Sequence, residues 1–309
     1  MIRVARVVAQ AKINLLLRVL SREESGYHSL ETVFLRLALG DSVTVRVGTG
    51  VHGRTLECYG GAMPRAGLGP IEQNLAYRAA VAYANATGWP PTFAIEVEKR
   101  IPVGGGLGGG SADAGAVLRA LDALAPVPLG LRLPELAVGL GADVPFLTLE
   151  HPMALAWGRG ERLLPLPVLA KRPVVLLAPG FSVVTAEAFA WLAATRGPYL
   201  ARAAVLEPSD LATWEAIAAR AMNEFEAVVA ARHPEISRYV DALRAEGAVP
   251  ALMTGSGSVV YGMFDDALTA AAVAAKLTSA FAGGDVRGVV TDTAERVERV
   301  AIGVVPKVT

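Results

Sequence analysis

The chain has 309 residues, enough for two domains, and its 53% hydrophobic and 19% charged composition excludes an intrinsically disordered protein. Twenty-nine basic residues balance twenty-nine acidic ones, which excludes a global field that would draw nucleic acid or an acidic membrane. Cys58 is the single cysteine, so an internal disulfide and a cysteine metal cluster are excluded, and His28, His52, His151 and His233 have no metal-ligand spacing.

The N-terminal run MIRVARVVAQAKINLLLRVL is apolar but interrupted by Lys12, Asn14 and Arg18, so it reads as a strand and not as a signal peptide. No uninterrupted apolar run reaches the roughly 18 residues of a membrane span. The expectation is a soluble cytoplasmic protein. Ser42–Val47 and Phe93–Lys99 alternate apolar and polar residues, the pattern of strands with one buried face. Asn74–Gly88 is alanine-rich and closes on glycine, which predicts a helix with a C-terminal stop. Seven glycines then fall between Pro102 and Gly115 in PVGGGLGGGSADAG. Ser111 can cap a helix to about Ala125, with Val117, Leu118, Leu121 and Leu124 as its apolar stripe and Pro126 as its stop. Within it Gly115 is expected to weaken the helix by about 1 kcal/mol relative to alanine. A third helix fits LPELAVGLG, followed by ADVPF and two strand-like runs. The proline-punctuated stretch Leu163–Gly180 places a domain boundary near residue 170, giving domains 1–170 and 171–309. Beyond it come a strand at RPVVLLAPG, helices over Thr213–Arg232 and Glu235–Glu246, a strand–turn–strand at ALMTGSGSVVYGMF and a last helix over Ala267–Phe281. Strands and helices mix without strict βαβ alternation, which predicts an α+β fold.

A patterned strand, a glycine loop and a capped helix in that order turn free amides and a helix N-terminus toward one cavity, which suits a phosphate. A flexible linker is the alternative, but linkers rarely sit between a patterned strand and a capped helix. No lysine follows in Walker A spacing. Gly104–Gly109 fits GxGxxG, yet the preceding strand has a wet face and lies far into the chain, which disfavours a dinucleotide-binding oxidoreductase. Lys12 lies inside an apolar run, and a buried lysine needs a partner: Asp143 or a phosphate, unless its ammonium reaches water at a strand edge. Asn14, two residues on, shares its strand face. Asp143, before Val-Pro, reads on its own as a turn or cap residue.

AKINLLL (Ala11–Leu17), GYHSLETVF (Gly26–Phe34), NLAYRAA (Asn74–Ala80), KRIPVGGGLGGGS (Lys99–Ser111), GADVPF (Gly141–Phe146), NEFE (Asn223–Glu226) and TGSG (Thr254–Gly257) span nearly the whole chain. Together they resemble the GHMP kinase superfamily, and within it the branch that phosphorylates a cytidine-diphosphate-linked methylerythritol. The resemblance implies a two-domain fold, an N-terminal ribosomal-protein-S5-like α/β domain and a C-terminal ferredoxin-like α+β domain, with the active site in the cleft between them. It implies Asp143 as general base toward a tertiary alcohol, with Lys12 orienting the hydroxyl and holding Asp143 ionised. Tyr27 and His28 are implied as readers of cytosine, with Phe189 on the opposite face of the base and Asn14 and Thr185 completing the acceptor site. ATP phosphates would lie on Pro102, Val103, Gly104, Gly105, Gly106, Leu107, Gly108, Gly109, Gly110, Ser111 and Ala112, with Asn74 and Lys99 bordering the adenosine. Magnesium is implied with the ATP, and Ser111 is the first candidate to touch it. Ser25, Ala112 and Gly115 depart from the family's usual pattern. A GHMP kinase for homoserine or mevalonate, and a binding homologue without turnover, are the alternatives; Gly26-Tyr27-His28 opposes the first, and Lys12 with Asp143 opposes the second. A monomer or homodimer is expected.

Overall fold

Two long strands organise the first half of the chain. Along β1 (Ile2–Arg22) Ala5, Val7, Ala9, Ala11, Ile13 and Leu15 enter the core, and from Ala9 to Leu17 the residues between them are buried as well, so both faces of the strand are covered there. It pairs antiparallel with β2 (His28–Gly48), and the register slips between Gln10 and Lys12 and again between Asn14 and Leu16. Such irregularities bend a strand and re-aim its side chains; here they flank Lys12 and Asn14. The protein is described from a computed structural model that covers residues 1–22, 28–196 and 206–305.

After β3 (Arg54–Tyr59), α1 (Leu75–Thr87) starts where the Asn74 side chain accepts the Ala76 N–H and stops where Gly88 turns left-handed, as the sequence predicts. β4 (Phe93–Glu98) buries Phe93, Ile95 and Val97 against that helix layer. α2 (Gly109–Leu124) begins two residues before Ser111: its N-cap is Gly108, left-handed and without a side-chain cap, so Ser111 sits inside the first turn. The local capping preference of serine gives way to a glycine turn that leaves the first amides of the helix open. α3 (Leu133–Val138) follows, then α4 (Val144–Thr148), a short helix that Pro145 opens and that the sequence does not announce. β5 (Met153–Gly158) and β6 (Arg162–Pro165) form a hairpin on β2.

β7 (Pro173–Pro179) is apolar throughout because both of its faces are covered. Val174, Leu176 and Ala178 enter one core, Val175 and Leu177 the other. α5 (Thr185–Arg196) comes next. The helix expected over Thr213–Arg232 is broken into α6 (Trp214–Arg220) and α7 (Glu226–Ala230) by β8 (Met222–Asn223). The break has a tertiary cause. Asn223 donates its amide to the carbonyls of Met253 and Gly255 while its oxygen accepts the Phe225 N–H. α8 (Glu235–Ala245) buries Ile236, Tyr239, Val240 and Leu243 at helical spacing; β9 (Ala251–Met253), β10 (Val260–Met263), α9 (Ala267–Ala280), β11 (Val286–Asp292) and β12 (Ala301–Val305) complete the chain. Among the described residues the strands form two sheets: one ordered β12-β1-β2-β4-β3, with β5–β6 added on β2 and β8 on β1, and one ordered β11-β7-β10-β9. β12, in the half expected to form the second domain, returns to pair with β1 of the first sheet.

Gly115 corrects the sequence reading. A Cβ there would lie 2.4 Å from the Leu147 carbonyl oxygen, so α2 and α4 touch backbone to backbone at this point. Gly115→Ala is therefore expected to destabilise the fold by about 1–3 kcal/mol through overpacking, outweighing the helix propensity it gains. A denaturant midpoint that rises in this variant would contradict the close approach.

Candidate active site

Lys12 and Asp143 come from opposite ends of the first half and meet in one cleft. The Lys12 ammonium is buried, donates to Asn14 Oδ1 at 2.8 Å, and lies 3.4 Å from Asp143 Oδ2. Its stem packs against Gly108, whose added Cβ would sit 3.0 Å from the lysine Cγ, and its ammonium lies 5.6 Å from the centre of the Phe34 ring. Asp143 occupies the N-cap position of α4 yet makes no side-chain cap bond. The ordinary role of a carboxylate at that position is thus unfilled, and the group is turned toward Lys12 instead. With 27% of its side chain exposed, against 4% for Lys12, Asp143 is the member of the pair open to a ligand.

Asn14 ties this pair to the second sheet. Its oxygen accepts from Lys12, from the Gly255 N–H at 3.0 Å and from Thr254 Oγ1 at 3.3 Å, and its amide donates to Thr32 Oγ1 at 2.8 Å. The Tyr261 hydroxyl donates to the Asn14 carbonyl at 3.0 Å; burial pushes that phenol well above its ordinary pKa, so it remains a neutral donor. The TGSG turn therefore reaches the Lys12–Asp143 pair through Asn14. Asn14 serves chiefly to set the lysine and the turn, since its polar atoms are already engaged.

In the glycine loop Gly104, Gly106 and Gly108 take φ of +77, +82 and +70°, so successive peptide groups alternate in direction and can gather their amides on one side. Gly106 is the tightest point: a Cβ there would fall 2.2 Å from the Thr254 carbonyl oxygen. The loop is pinned on both flanks, by Lys12 N–H to the Leu107 carbonyl at 3.0 Å and by Val259 N–H to the Gly105 carbonyl at 3.1 Å. Residues 102–111 line one cavity together with Asn74, Lys99 and Asp113. Ala112 does not join them. It is buried in the core because the helix starts earlier than expected and turns that position inward.

Lys99 lies behind this loop in a buried ionic cluster. Its ammonium reaches Asp113 Oδ2 at 2.6 Å and also bonds Asp41, while Asp41 Oδ1 accepts the N–H groups of Arg100 and Ile101 at 2.6 and 2.8 Å. The cluster joins β2, the exit of β4 and the second turn of α2, which are the three supports of the loop. Lys99 therefore borders the loop cavity mainly as an anchor, with its ammonium engaged by Asp41 and Asp113. Burial is the largest single influence on Lys99 and works against its charge, but the two carboxylates outweigh it and hold the ammonium above its ordinary pKa. Burial dominates at Asp113 and pushes its carboxyl up to about 8, against the opposing pull of Lys99. The second oxygen of Asp113 has no hydrogen-bond partner, consistent with a carboxyl that is costly to ionise.

That shift fixes a sign. A carboxyl near 4 when unfolded and near 8 when folded binds its proton more tightly in the fold, so its contribution to stability is complete below about pH 4 and is lost as pH rises through about 8. The melting temperature is expected to fall across this range, and Asp113→Asn to flatten the fall. An unchanged slope in thermal scans of that variant would rule Asp113 out as its source.

On the acceptor side, Tyr27 lies outside the described residues. His28 stacks on Phe189, ring centres 4.2 Å apart and planes 17° from parallel, and Phe189 meets Phe225 edge-on at 4.8 Å. Thr185 Oγ1 bonds Ser256 Oγ at 2.9 Å at the start of α5. Lys12, Asn14, Asp143, Thr185 and Phe189 line one cleft of about 330 Å³ together with Gly104, Gly106 and Gly108, so the predicted acceptor residues and the loop share a wall.

Arg36, which sequence reasoning missed, braces the segment that carries Asp143 from outside the cleft. It is buried, donates through Nη2 to the carbonyls of Phe146 and Leu149 at 2.9 Å each, and so caps the C-terminus of the helix that Asp143 begins. Burial, with the charge of Arg119 added, pushes its guanidinium down to about 9. Its place in β2, inside an apolar run, was the available signal: an arginine there needs a set of carbonyls or acids to face.

Residues 74–151 match the family described as GHMP kinases N terminal domain, and residues 201–283 match GHMP kinases C terminal. The fold and cleft are those of a GHMP kinase. The similarity reaches further. The chain is 39% identical to a 4-diphosphocytidyl-2-C-methyl-D-erythritol kinase of Geobacter sp. (strain M21) over 88% of its own length and 94% of that protein's, and 40% identical to one of Deinococcus radiodurans over 87% of each. A crystal structure of 4-(cytidine 5'-diphospho)-2C-methyl-D-erythritol kinase superimposes with a TM-score of 0.75 at 35% identity, covering 94% of this chain and 99% of that one. The chain belongs to the 4-diphosphocytidyl-2-C-methyl-D-erythritol kinase family. The homoserine kinase of Cytophaga hutchinsonii, with a TM-score of 0.69 at 16% identity over 97% of both chains, shares the fold.

Proposed function

We infer that this chain transfers the γ-phosphoryl group of ATP to the 2-hydroxyl of 4-diphosphocytidyl-2-C-methyl-D-erythritol, in non-mevalonate isoprenoid precursor biosynthesis. The observation that carries the chemistry is the single cleft in which Lys12 and Asp143 face the glycine loop. Phosphoryl transfer needs positioning and charge stabilisation more than covalent help from the protein. Asp143 accepts the proton of the acceptor hydroxyl as its oxygen bonds to the γ-phosphorus and the bond to the ADP oxygen breaks. Lys12 holds the hydroxyl and the carboxylate in register, and the amides of residues 104–111 stabilise charge on the phosphates. His28 and Phe189, the second already on the wall of the cleft, supply the polar edge and the aromatic face that select cytosine.

Magnesium would neutralise the nucleotide phosphates in this reaction. Among the described residues no group of three or more His, Cys, Asp or Glu side chains could hold a metal ion. The Ser111 hydroxyl, on the wall of the loop cavity, would be the protein group nearest to such an ion.

ADP release with ATP and magnesium, measured in parallel on the cytidylyl acceptor, homoserine and mevalonate, tests the reading. Turnover on the first alone is expected. Turnover on either of the others in its place would overturn the acceptor assignment and leave the kinase assignment standing.

A further inference from the structure

The catalytic cleft opens into a second, larger cavity lined by His28, Glu161, Arg162 and the exposed side of α5. Leu30, Ala142, Arg159, Thr185 and Phe189 line both, so they form the passage between them. Arg159 is the one charged side chain among these five. Building on the proposed function, the acceptor has a nucleobase at one end and the reacting hydroxyl at the other, with a diphosphate between. An acceptor reaching from His28 and Phe189 to Asp143 therefore puts its diphosphate in the passage. Lys12 is committed to Asn14 and Asp143.

We propose that Arg159 binds the diphosphate bridge of the acceptor and makes this site select a nucleoside-diphosphate-linked alcohol over an uncharged one. The chemistry fits the residue. A planar guanidinium can donate two parallel bonds to phosphate oxygens, and it does so with less loss of hydration than an ammonium.

The turn that carries Arg159 is built to hold it at a fixed distance from the base. It joins β5 to β6 through Gly158 and Gly160, with φ of +74 and +109°. The Arg159 N–H donates to Glu161 Oε2 at 2.6 Å, which folds the glutamate back across the turn. Gly160 is buried against the residue before Asp143: a Cβ there would stand 3.0 Å from the Ala142 carbonyl oxygen. Arg159 is thus seated on the same segment of chain that presents the general base. Arg162, the first residue of β6, lines only the outer cavity and lies 3.7 Å from Glu161, so it provides an internal comparison.

The test is calorimetric binding of cytidine and CDP to the parent protein and to Arg159→Gln, Arg159→Lys and Arg162→Gln, with melting temperatures as the check on folding. The parent is expected to bind CDP more tightly than cytidine. Arg159→Gln should lose roughly ten- to a hundredfold in CDP affinity, the range for a lost charged hydrogen-bond pair, with cytidine affinity retained. Arg159→Lys should recover part of the loss, and Arg162→Gln should lose less than Arg159→Gln. Equal CDP binding by parent and Arg159→Gln overturns the proposal. So does an equal loss of cytidine and CDP, which would mark a structural role, or an equal loss in Arg162→Gln, which would mark a diffuse field. If the parent binds neither ligand and does not turn over the cytidylyl acceptor, the proposed function fails first and this assignment falls with it. Turnover of that acceptor with no effect of Arg159→Gln on its KM sinks the Arg159 assignment alone.

Discussion

Asp143→Asn is expected to lower kcat by roughly 10²–10⁴-fold, the range that a positioned general base contributes, while ATP affinity stays near the parent value. Asparagine keeps the size and one acceptor oxygen of the side chain, so the contact with Lys12, at 3.4 Å in the parent, need not be lost. It cannot take a proton from the acceptor hydroxyl at any working pH. The glycine loop, the proposed ATP site, is pinned by Lys12 N–H and Val259 N–H through backbone bonds that do not involve Asp143, which is why binding and turnover should separate. Steady-state kcat with both substrates saturating, beside calorimetric ATP binding, checks this. A variant that kept most of its kcat would move the base elsewhere. A variant that lost ATP binding in parallel would make Asp143 part of the nucleotide site.

The second large effect is expected at Lys99. Lys99→Met leaves Asp41 buried without its counterion and Asp113 without its hydrogen-bond donor, and removing one partner from a buried ion pair typically costs about 3–5 kcal/mol. The loss should appear as a lower denaturant midpoint, with Asp113→Leu restoring part of it when added to the same chain. Asp41 would keep the two backbone N–H groups it already accepts, so its share of the cluster survives better. If Lys99→Met were as stable as the parent and only the KM for ATP rose, Lys99 would contact the nucleotide directly, as the sequence reading first placed it.

The two outcomes mark where sequence reading ends. Features written in local pattern were legible: the alternation of β4, the Asn74 cap and Gly88 stop of α1, the apolar run of β7, and the glycine loop between a strand and a helix. That Lys12 needs a partner was legible, because a lysine in an apolar strand demands one; that the partner is Asp143 and not a phosphate came only with the family resemblance. What escaped depends on contacts between residues far apart in the chain. Nothing near Lys99 announces Asp41, 58 residues away. Arg36 answers to carbonyls more than a hundred residues on, and Asn223 breaks a well-patterned helical stretch by bonding to carbonyls about thirty residues later. Gly115 looked like a flaw in a helix until the Leu147 carbonyl was seen to lie where its Cβ would be. Ser111 lost the cap position to Gly108 because the loop needs a left-handed residue there, a demand that outranks a serine's preference.

The most direct test of the central claim is phosphorus NMR of the product formed from ATP and 4-diphosphocytidyl-2-C-methyl-D-erythritol by the parent protein and by Asp143→Asn. A new phosphomonoester on the 2-hydroxyl, made by the parent and nearly absent with Asp143→Asn, is the predicted result. ATP consumed without that ester, or the same ester made equally well by both proteins, would contradict it.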